Sequence, residues 1–206
     1  MKGIEPRDGQ RAIDTIVLAF AADPVERWMY PRPGDYLHHF RAFVEAFAGP
    51  ALADGTAWML DDFAAVALWL GPGSQPDSDT IVSVLTESVA ADQQDDLLAV
   101  LEQMDAMHPT SAHWYLPWLA VDPARQRDGL GGRLLELGLQ RVDHDGLPAY
   151  LETPNPQTIA FYERRGFQVT GQARSGECPP ITAMLRPAAE FSGSQVRSRN
   201  WRAQMG

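Results

Sequence analysis

The sequence predicts a single α/β domain (α+β by some schemes) built on one mixed sheet of about six to seven strands with helices on its faces. Three observations predict it. The stretch HWYLPWLAVDPARQRDGLGGR, His113 to Arg133, reads as a buried strand, a short loop and the start of a helix. Ala149 to Thr153 follows that helix as another short strand, and this order implies a parallel pair with a right-handed crossover. Asn155-Pro156 then opens a further helix in good form, with asparagine at the cap and proline next, and Gly166 closes it.

Taken in order, Ile4 to Asp8 reads as a short first strand. Gly9 to Ala22 places Ala12, Ile13, Ile16, Val17 and Phe20 at helical spacing, and Asp23-Pro24 breaks this amphipathic helix. Val25 to Tyr30 is a short helical or irregular piece rich in aromatic and sulfur side chains, punctuated by Pro31, Pro33 and Gly34. Asp35 to Ala48 is a second helix with Leu37, Phe40, Val44 and Phe47 on one face. Thr56 to Leu60 and Phe63 to Leu70 form a hairpin around Asp61-Asp62, the second run apolar enough for an interior strand. Thr80 to Met107 has helical composition with a polar break at Ala91 to Asp96. His113 to Val121 is aromatic or apolar almost throughout, suits burial on both faces, and ends at Asp122-Pro123. Leu130 to Val142 is a helix, and Phe167 to Ala173 and Pro180 to Leu185 complete the sheet. The domain is placed at residues 1–186. Residues 187–206 lose periodicity and carry Arg197, Arg199 and Arg202 around Trp201, as a loose tail or as an arm on a partner subunit.

A chain of 206 residues can bury one good core. No apolar run approaches the about 20 residues that span a bilayer, and MKGIEPRDGQR lacks the apolar centre of a signal peptide. No membrane partner is therefore expected. The single cysteine, Cys178, sits among Gly176, Pro179 and Pro180 as a structural thiol in a loop, and a cytoplasmic location is the simple inference. The net charge of −10 argues against nucleic acid and is compatible with a cationic acceptor. His38, His39, His108 and His144 are scattered without metal-ligand spacing, so no metal is expected. The expected assembly is a monomer or homodimer.

Gly129, Gly131 and Gly132 cluster at the start of a helix, where each glycine costs about 1 kcal/mol relative to alanine. An awkward turn is one reason for them. Close approach of an anion is the other: side chains are absent, several N–H groups point outward, and the helix dipole is positive there. Arg125, Arg127 and Arg133 flank the glycines in an otherwise acidic chain. The dinucleotide fingerprint would need a third glycine and a Walker loop a Gly-Lys-Ser/Thr, and neither is present.

What stands here is Gln126-x-x-Gly129-x-Gly131 after a strand ending Leu119-Ala120-Val121-Asp122-Pro123. This resembles the pyrophosphate loop of the GNAT superfamily of N-acetyltransferases. A second match follows in NPQTIAFYERRGF, where Asn155 and, seven residues later, Tyr162 resemble that family's asparagine and tyrosine helix. The resemblance covers Trp58 to Arg186 and looks closest to the puromycin-type small-molecule branch.

The resemblance implies a sheet splayed between its fourth and fifth strands and a small-molecule amine as substrate. It implies acetyl-coenzyme A as cofactor, held by Leu119, Ala120, Val121, Gln126, Arg127, Asp128, Gly129, Leu130, Gly131, Gly132, Arg133, Asn155 and Tyr162. Arg164 or Arg165 reaches the 3′-phosphate or belongs to a solvated face, and Asn155 serves as cap, ligand or both. Tyr162 matches the acid that protonates the departing thiolate, phenol and thiol pKa values of about 10 and about 8.5 being close. A backbone N–H near Trp118 or Leu119 suits the oxyanion. An alkylamine with a pKa of about 10 must lose a proton first, and Glu152 or His113 is the candidate base. His113, Tyr115 and Pro117 share one face by strand alternation. Trp28, Tyr30, Tyr36 and Tyr115 are the acceptor-pocket candidates, with core packing as the other reading of the helical aromatics. The rival functions are a coenzyme A-binding relative without turnover and a protein or peptide N-acetyltransferase.

Overall fold

The computed structural model describes residues 1–189. In chain order its elements are β1 (Lys2–Gly3), α1 (Gly9–Ala19), α2 (Pro24–Met29), α3 (Pro33–Asp35), α4 (Arg41–Ala53), β2 (Ala57–Leu60), β3 (Ala65–Leu70), α5 (Ser78–Ser88) and α6 (Gln94–Met107). There follow β4 (Trp114–Val121), α7 (Leu130–Asp145), β5 (Ala149–Thr153), α8 (Pro156–Glu163), β6 (Gln168–Ala173) and β7 (Ile181–Arg186). The seven strands make one sheet in the order β1-β2-β3-β4-β5-β7-β6, with β4 and β5 parallel and every other pair antiparallel. Residues of the expected tail from 190 onward lie outside the described residues. Among the described residues no helix is long and apolar enough to cross a membrane.

The sheet separates two cores. On one face α1, α2, α4, α5 and α6 pack Ile13, Ile16, Phe40, Val44, Leu97 and Val100 against Val66, Leu68 and Trp118. On the other, α7 and α8 pack Leu134, Leu135 and Leu139 against Ala67, Trp69 and Leu116. The interior strand β3 is buried at every residue, as its apolar run requires. Arg186 closes the far side, donating to both carboxylate oxygens of Asp143 on α7 at 2.6 and 3.1 Å.

Three local expectations are corrected. The first strand is Lys2–Gly3 and not Ile4 to Asp8: Ile4 N–H makes one last bond to the Ala57 carbonyl, and Pro6, without an N–H, begins a 3-10 turn. The second long helix starts at Pro33 and carries a π turn over Tyr36–Phe40 before α4. The wider turn rotates the face, so Tyr36 and Phe40 point inward and Leu37 is 62% exposed.

The third correction concerns β4, which is covered on both faces but whose fully buried residues alternate with half-buried ones. Leu68 pairs Trp118 and Leu70 pairs Tyr115, so Leu116 and Pro117 together oppose Trp69 in a β-bulge. Proline cannot donate to the ladder, which is why the extra residue falls there. The bulge switches the face: Trp114 and Leu116 enter the α7 core, whereas Trp118 and Ala120 enter the opposite one. Pro117 therefore does not continue the alternation of His113 and Tyr115.

Gly138, in the middle of α7, lies over the fully buried Trp69; a Cβ there would sit 2.7 Å from the indole nitrogen. Helix propensity alone says that Gly138→Ala should stabilise by about 0.5–1 kcal/mol. The contact predicts the opposite, a loss of about 1–3 kcal/mol in urea unfolding, because the indole has no room to move. A variant more stable than the native chain would contradict this packing.

Candidate active site

The helix α7 begins with no side-chain cap. The chain turns into it through Arg127 at φ 71° and Gly129 at φ 78°, left-handed positions that glycine adopts freely. The Arg133 N–H returns to the Gly129 carbonyl at 3.0 Å. This leaves the N–H groups of Leu130, Gly131 and Gly132 as first-turn donors without a protein partner among the described residues. All three residues line a cavity of about 1000 Å³. A Cβ on Gly131 would come within 3.2 Å of Val121, and one on Gly132 would run into the Arg165 guanidinium. Arg127 and Arg133 line the same end of the cavity. Arg125 and Asp128 do not; they pair with each other at 2.8 Å on the outside of the loop.

From this anion-suited end the cavity runs between β4 and β5. Those strands pair only at Trp114–Ala149 and Tyr115–Tyr150. Beyond the bulge they part, with Leu119 and Val121 on one wall and Thr153 and Asn155 on the other. Ala120 is buried in the core, pairs with Val66 of β3 and does not line the cavity. A bare helix N-terminus beside an opened strand edge fits a long ligand with an anionic head and an amide-bearing arm.

Asn155 caps α8 through Oδ1, which accepts from Gln157 N–H at 3.0 Å. The cap uses only the oxygen, so both amide N–H donors remain for the cavity that Asn155 lines. Tyr162 lines it too, its ring edge-on to Phe161 and Phe167 at 5.0 and 5.8 Å. Burial pushes its phenol above the ordinary range, so it stays protonated at neutral pH. Arg165 is held rather than free: it donates to the Phe161 carbonyl at 2.9 Å, pairs with Glu136 at 3.1 Å and lies over the Phe161 ring.

The carboxylate of Glu152 is 7% exposed on the cavity wall. It accepts from the Tyr115 and Tyr150 hydroxyls at 2.7 and 2.9 Å. Burial first, and the neighbouring carboxylate second, push both phenols up, so both remain donors. Two histidines continue outward from it. His113 Nδ1 lies 2.7 Å from the Ser111 carbonyl, which fixes the proton on that nitrogen and leaves Nε2 as an acceptor. His108 Nε2 then donates to it at 3.0 Å, and the bare His108 Nδ1 faces Glu152 at 3.9 Å. Burial lowers the His113 pKa, in keeping with a neutral ring. His113 itself lies behind the wall and does not line the cavity. His108, read as one of several scattered histidines, is the member that sequence reasoning missed; only the fold brings the end of α6 to β5.

The acceptor wall differs from the aromatic one expected. Trp28, Tyr30 and Tyr36 do not line the cavity. Tyr36 stacks on Phe40 at 4.9 Å and donates to the Val17 carbonyl at 2.5 Å, while the Tyr30 hydroxyl bonds Ser88 at 2.8 Å. Both are core residues turned inward, Tyr36 by the π turn. Phe20, Asp23, Val25, Glu26 and Met29 line the cavity instead, with Tyr115 as the one expected aromatic that does. Burial raises Asp23 to about 6 and Glu26 well above the carboxylate range. Glu26 Oε2 has no hydrogen-bond partner among the described residues. Cys178 also lines the cavity, but burial pushes its thiol up to about 11, so it is not a thiolate at neutral pH.

Comparison with known proteins agrees with this architecture. The model of the Acetyltransferase (GNAT) family matches residues 76–167. The uncharacterized N-acetyltransferase C550.08 of Schizosaccharomyces pombe is 26% identical over 94% of this chain and 86% of its own. A Corynebacterium glutamicum protein, described as histone acetyltransferase HPA2 and related acetyltransferase, has a crystal structure that superposes with a TM-score of 0.68. It is 25% identical over 93% of this chain and 97% of that one. The Drosophila melanogaster polyamine N acetyltransferase shares the fold at a TM-score of 0.64 and 13% identity, over 90% and 98% of the two chains. Enzymes of this family use acetyl-coenzyme A. In sequence over residues 76–167 and in fold over most of its length, the chain is similar to the GNAT superfamily of N-acetyltransferases.

Proposed function

We propose that the chain transfers the acetyl group of acetyl-coenzyme A to a primary amine of a small molecule by direct attack. The observation that carries this reading is a single cavity that joins the bare N-terminus of α7 to the opened edge of β4. The N–H groups of Leu130, Gly131 and Gly132, with Arg127 and Arg133, suit a diphosphate. The main chain of Leu119 and Val121 and the amide of Asn155 suit the amide-bearing arm. When bound, the cofactor supplies an acetyl group activated as a thioester.

The chain's own residues do the rest. The Leu119 N–H, which faces the gap because Trp118 pairs with Leu68 in the β3 ladder, donates to the thioester carbonyl oxygen. Tyr162, a phenol on the cavity wall, gives its proton to the departing sulfur. Glu152 takes the proton that the acceptor ammonium must lose, and His108 and His113 carry it away from the wall. Walls formed by α1, α2, α4, α5 and α6 bound the acceptor side, which favours a small molecule over a peptide.

Calorimetric titration with acetyl-coenzyme A and a free-thiol assay across primary amines test the reading; heat with the first and thiol release in the second are expected. Tyr162→Phe should lower kcat by about 100-fold with the KM for acetyl-coenzyme A changed by less than about twofold. Equal kcat would remove the tyrosine as acid. Gly131→Val should abolish the calorimetric signal, because the added methyls meet Val121 and fill the cradle; retained affinity would move the cofactor elsewhere. His108→Phe should lower kcat/KM at pH 7 by more than at pH 9.5. The amine, with a pKa of about 10, is increasingly free base as pH rises and then needs no relay. A deficit unchanged with pH would contradict the relay.

A further inference from the structure

The cavity is electrically divided. Its arginines, Arg127, Arg133, Arg164 and Arg165, all belong to the loop end and the end of α8. The opposite chamber, walled by α1, α2, α4, α5 and α6, contributes no lysine or arginine among the described lining residues. It contributes two acids, Asp23 at the cap of α2 and Glu26 in its first turn. Phe20, Phe43, Phe47, Leu97, Val100 and Met104 give the chamber an otherwise apolar lining.

Glu26 is the anomalous acid in this wall. It is 5% exposed, its Oε2 has no hydrogen-bond partner among the described residues, and the polar side chains of Tyr30, Tyr36 and Arg27 are committed elsewhere. The Tyr30 hydroxyl bonds Ser88, the Tyr36 hydroxyl donates to the Val17 carbonyl, and the Arg27 guanidinium donates to the Pro31 carbonyl. Asp23 spends Oδ1 on the Val25 N–H. A buried carboxyl without a partner, on the wall of an apolar chamber, is completed by a cation that arrives with a ligand. The fold gains nothing from it: burial and Asp23 both hold it toward the neutral form.

Glu152 stands apart from this pair, on β5, with two phenols and a histidine route for its proton. Glu26 has no such route, which separates an anchoring acid from an accepting one. We infer that Asp23 and Glu26 form an ammonium site for the far end of the acceptor. The preferred acceptor is then a small α,ω-diamine with an apolar spacer, one nitrogen on Glu26 and the other presented beside Glu152. This inference deepens the acetyl-transfer reading and rests on it for the reacting end alone.

The test is calorimetric titration of the protein, without cofactor, by 1,8-diaminooctane, octylamine and 8-aminooctanoate. The diamine is expected to bind at least about 10-fold more tightly than octylamine, with the aminocarboxylate weakest. Glu26→Gln should erase the diamine's advantage and leave octylamine unchanged, and Glu26→Lys should turn the preference toward 8-aminooctanoate. Glu26→Gln replaces a carboxyl that burial and Asp23 already hold toward the neutral form, so it should melt no lower than the native chain. Equal affinity for diamine and octylamine in the native protein would overturn the inference, and so would a diamine preference that survives in Glu26→Gln. The native comparison decides even if a variant does not fold. Absence of acetyl-coenzyme A binding in a parallel titration would instead sink the acetyl-transfer reading and leave the ammonium site standing.

Discussion

The structure turns on one parallel pair that is barely made. The strands β4 and β5 share two residue pairs and then separate, and almost everything functional is a consequence of that opening. The chain leaves β4 at its carboxyl end, so α7 begins there before crossing back to the parallel β5. The next helix, α8, begins at the carboxyl end of β5 for the same reason. Two helix N-termini therefore flank the mouth of the gap, one left bare by its glycines and one capped by Asn155. The bulge at Leu116 and Pro117 completes the arrangement by turning Trp118 and Ala120 into the opposite core. An unpaired strand edge is usually a liability; here it opens onto a cavity and not onto bulk solvent.

Electrostatics divide that cavity into two ends. Helix dipole, outward N–H groups and arginines make one end suited to an anion, in a chain whose net charge is −10. The other end collects Glu152, Asp23 and Glu26 among aromatic and aliphatic side chains. Glu152 is satisfied twice over by tyrosines, while Glu26 is left without a partner. A buried acid on a cavity wall that the fold does not satisfy is a candidate for a ligand's cation, and the inferred ammonium site rests on the contrast between these two acids.

Much of the frame was legible because local chemistry wrote it. The glycine run, the proline after Asp122, the Asn155-Pro156 cap and the apolar run of β3 each have a backbone reason that needs no tertiary context. The cofactor-side positions on that frame line the cavity as expected, apart from Asp128, paired with Arg125 on the outside, and Ala120, which faces the core. What the sequence hid was decided at a distance. The proline of the bulge is visible, but its effect on side-chain parity depends on how β3 aligns with it. One π turn swaps Leu37 for Tyr36 on the inner face, and no periodicity announces it. Trp28, Tyr30 and Tyr36 looked like recognition because they are aromatic and clustered; beside them Asp23 figured only in the Asp23-Pro24 break, and nothing local singled out Glu26. His108 is 44 residues from Glu152 in sequence, and only the packing of α6 against the sheet brings them together.

The most direct test of the central claim is an amide-resolved NMR titration of the labelled protein with coenzyme A. The expected result is large shifts at the N–H groups of Leu130, Gly131, Gly132, Leu119 and Val121, with Trp114, on the closed part of the pair, little moved. Shifts confined to other elements, or none at the α7 start, would mean that the parted strands and the bare helix end are not where the cofactor binds.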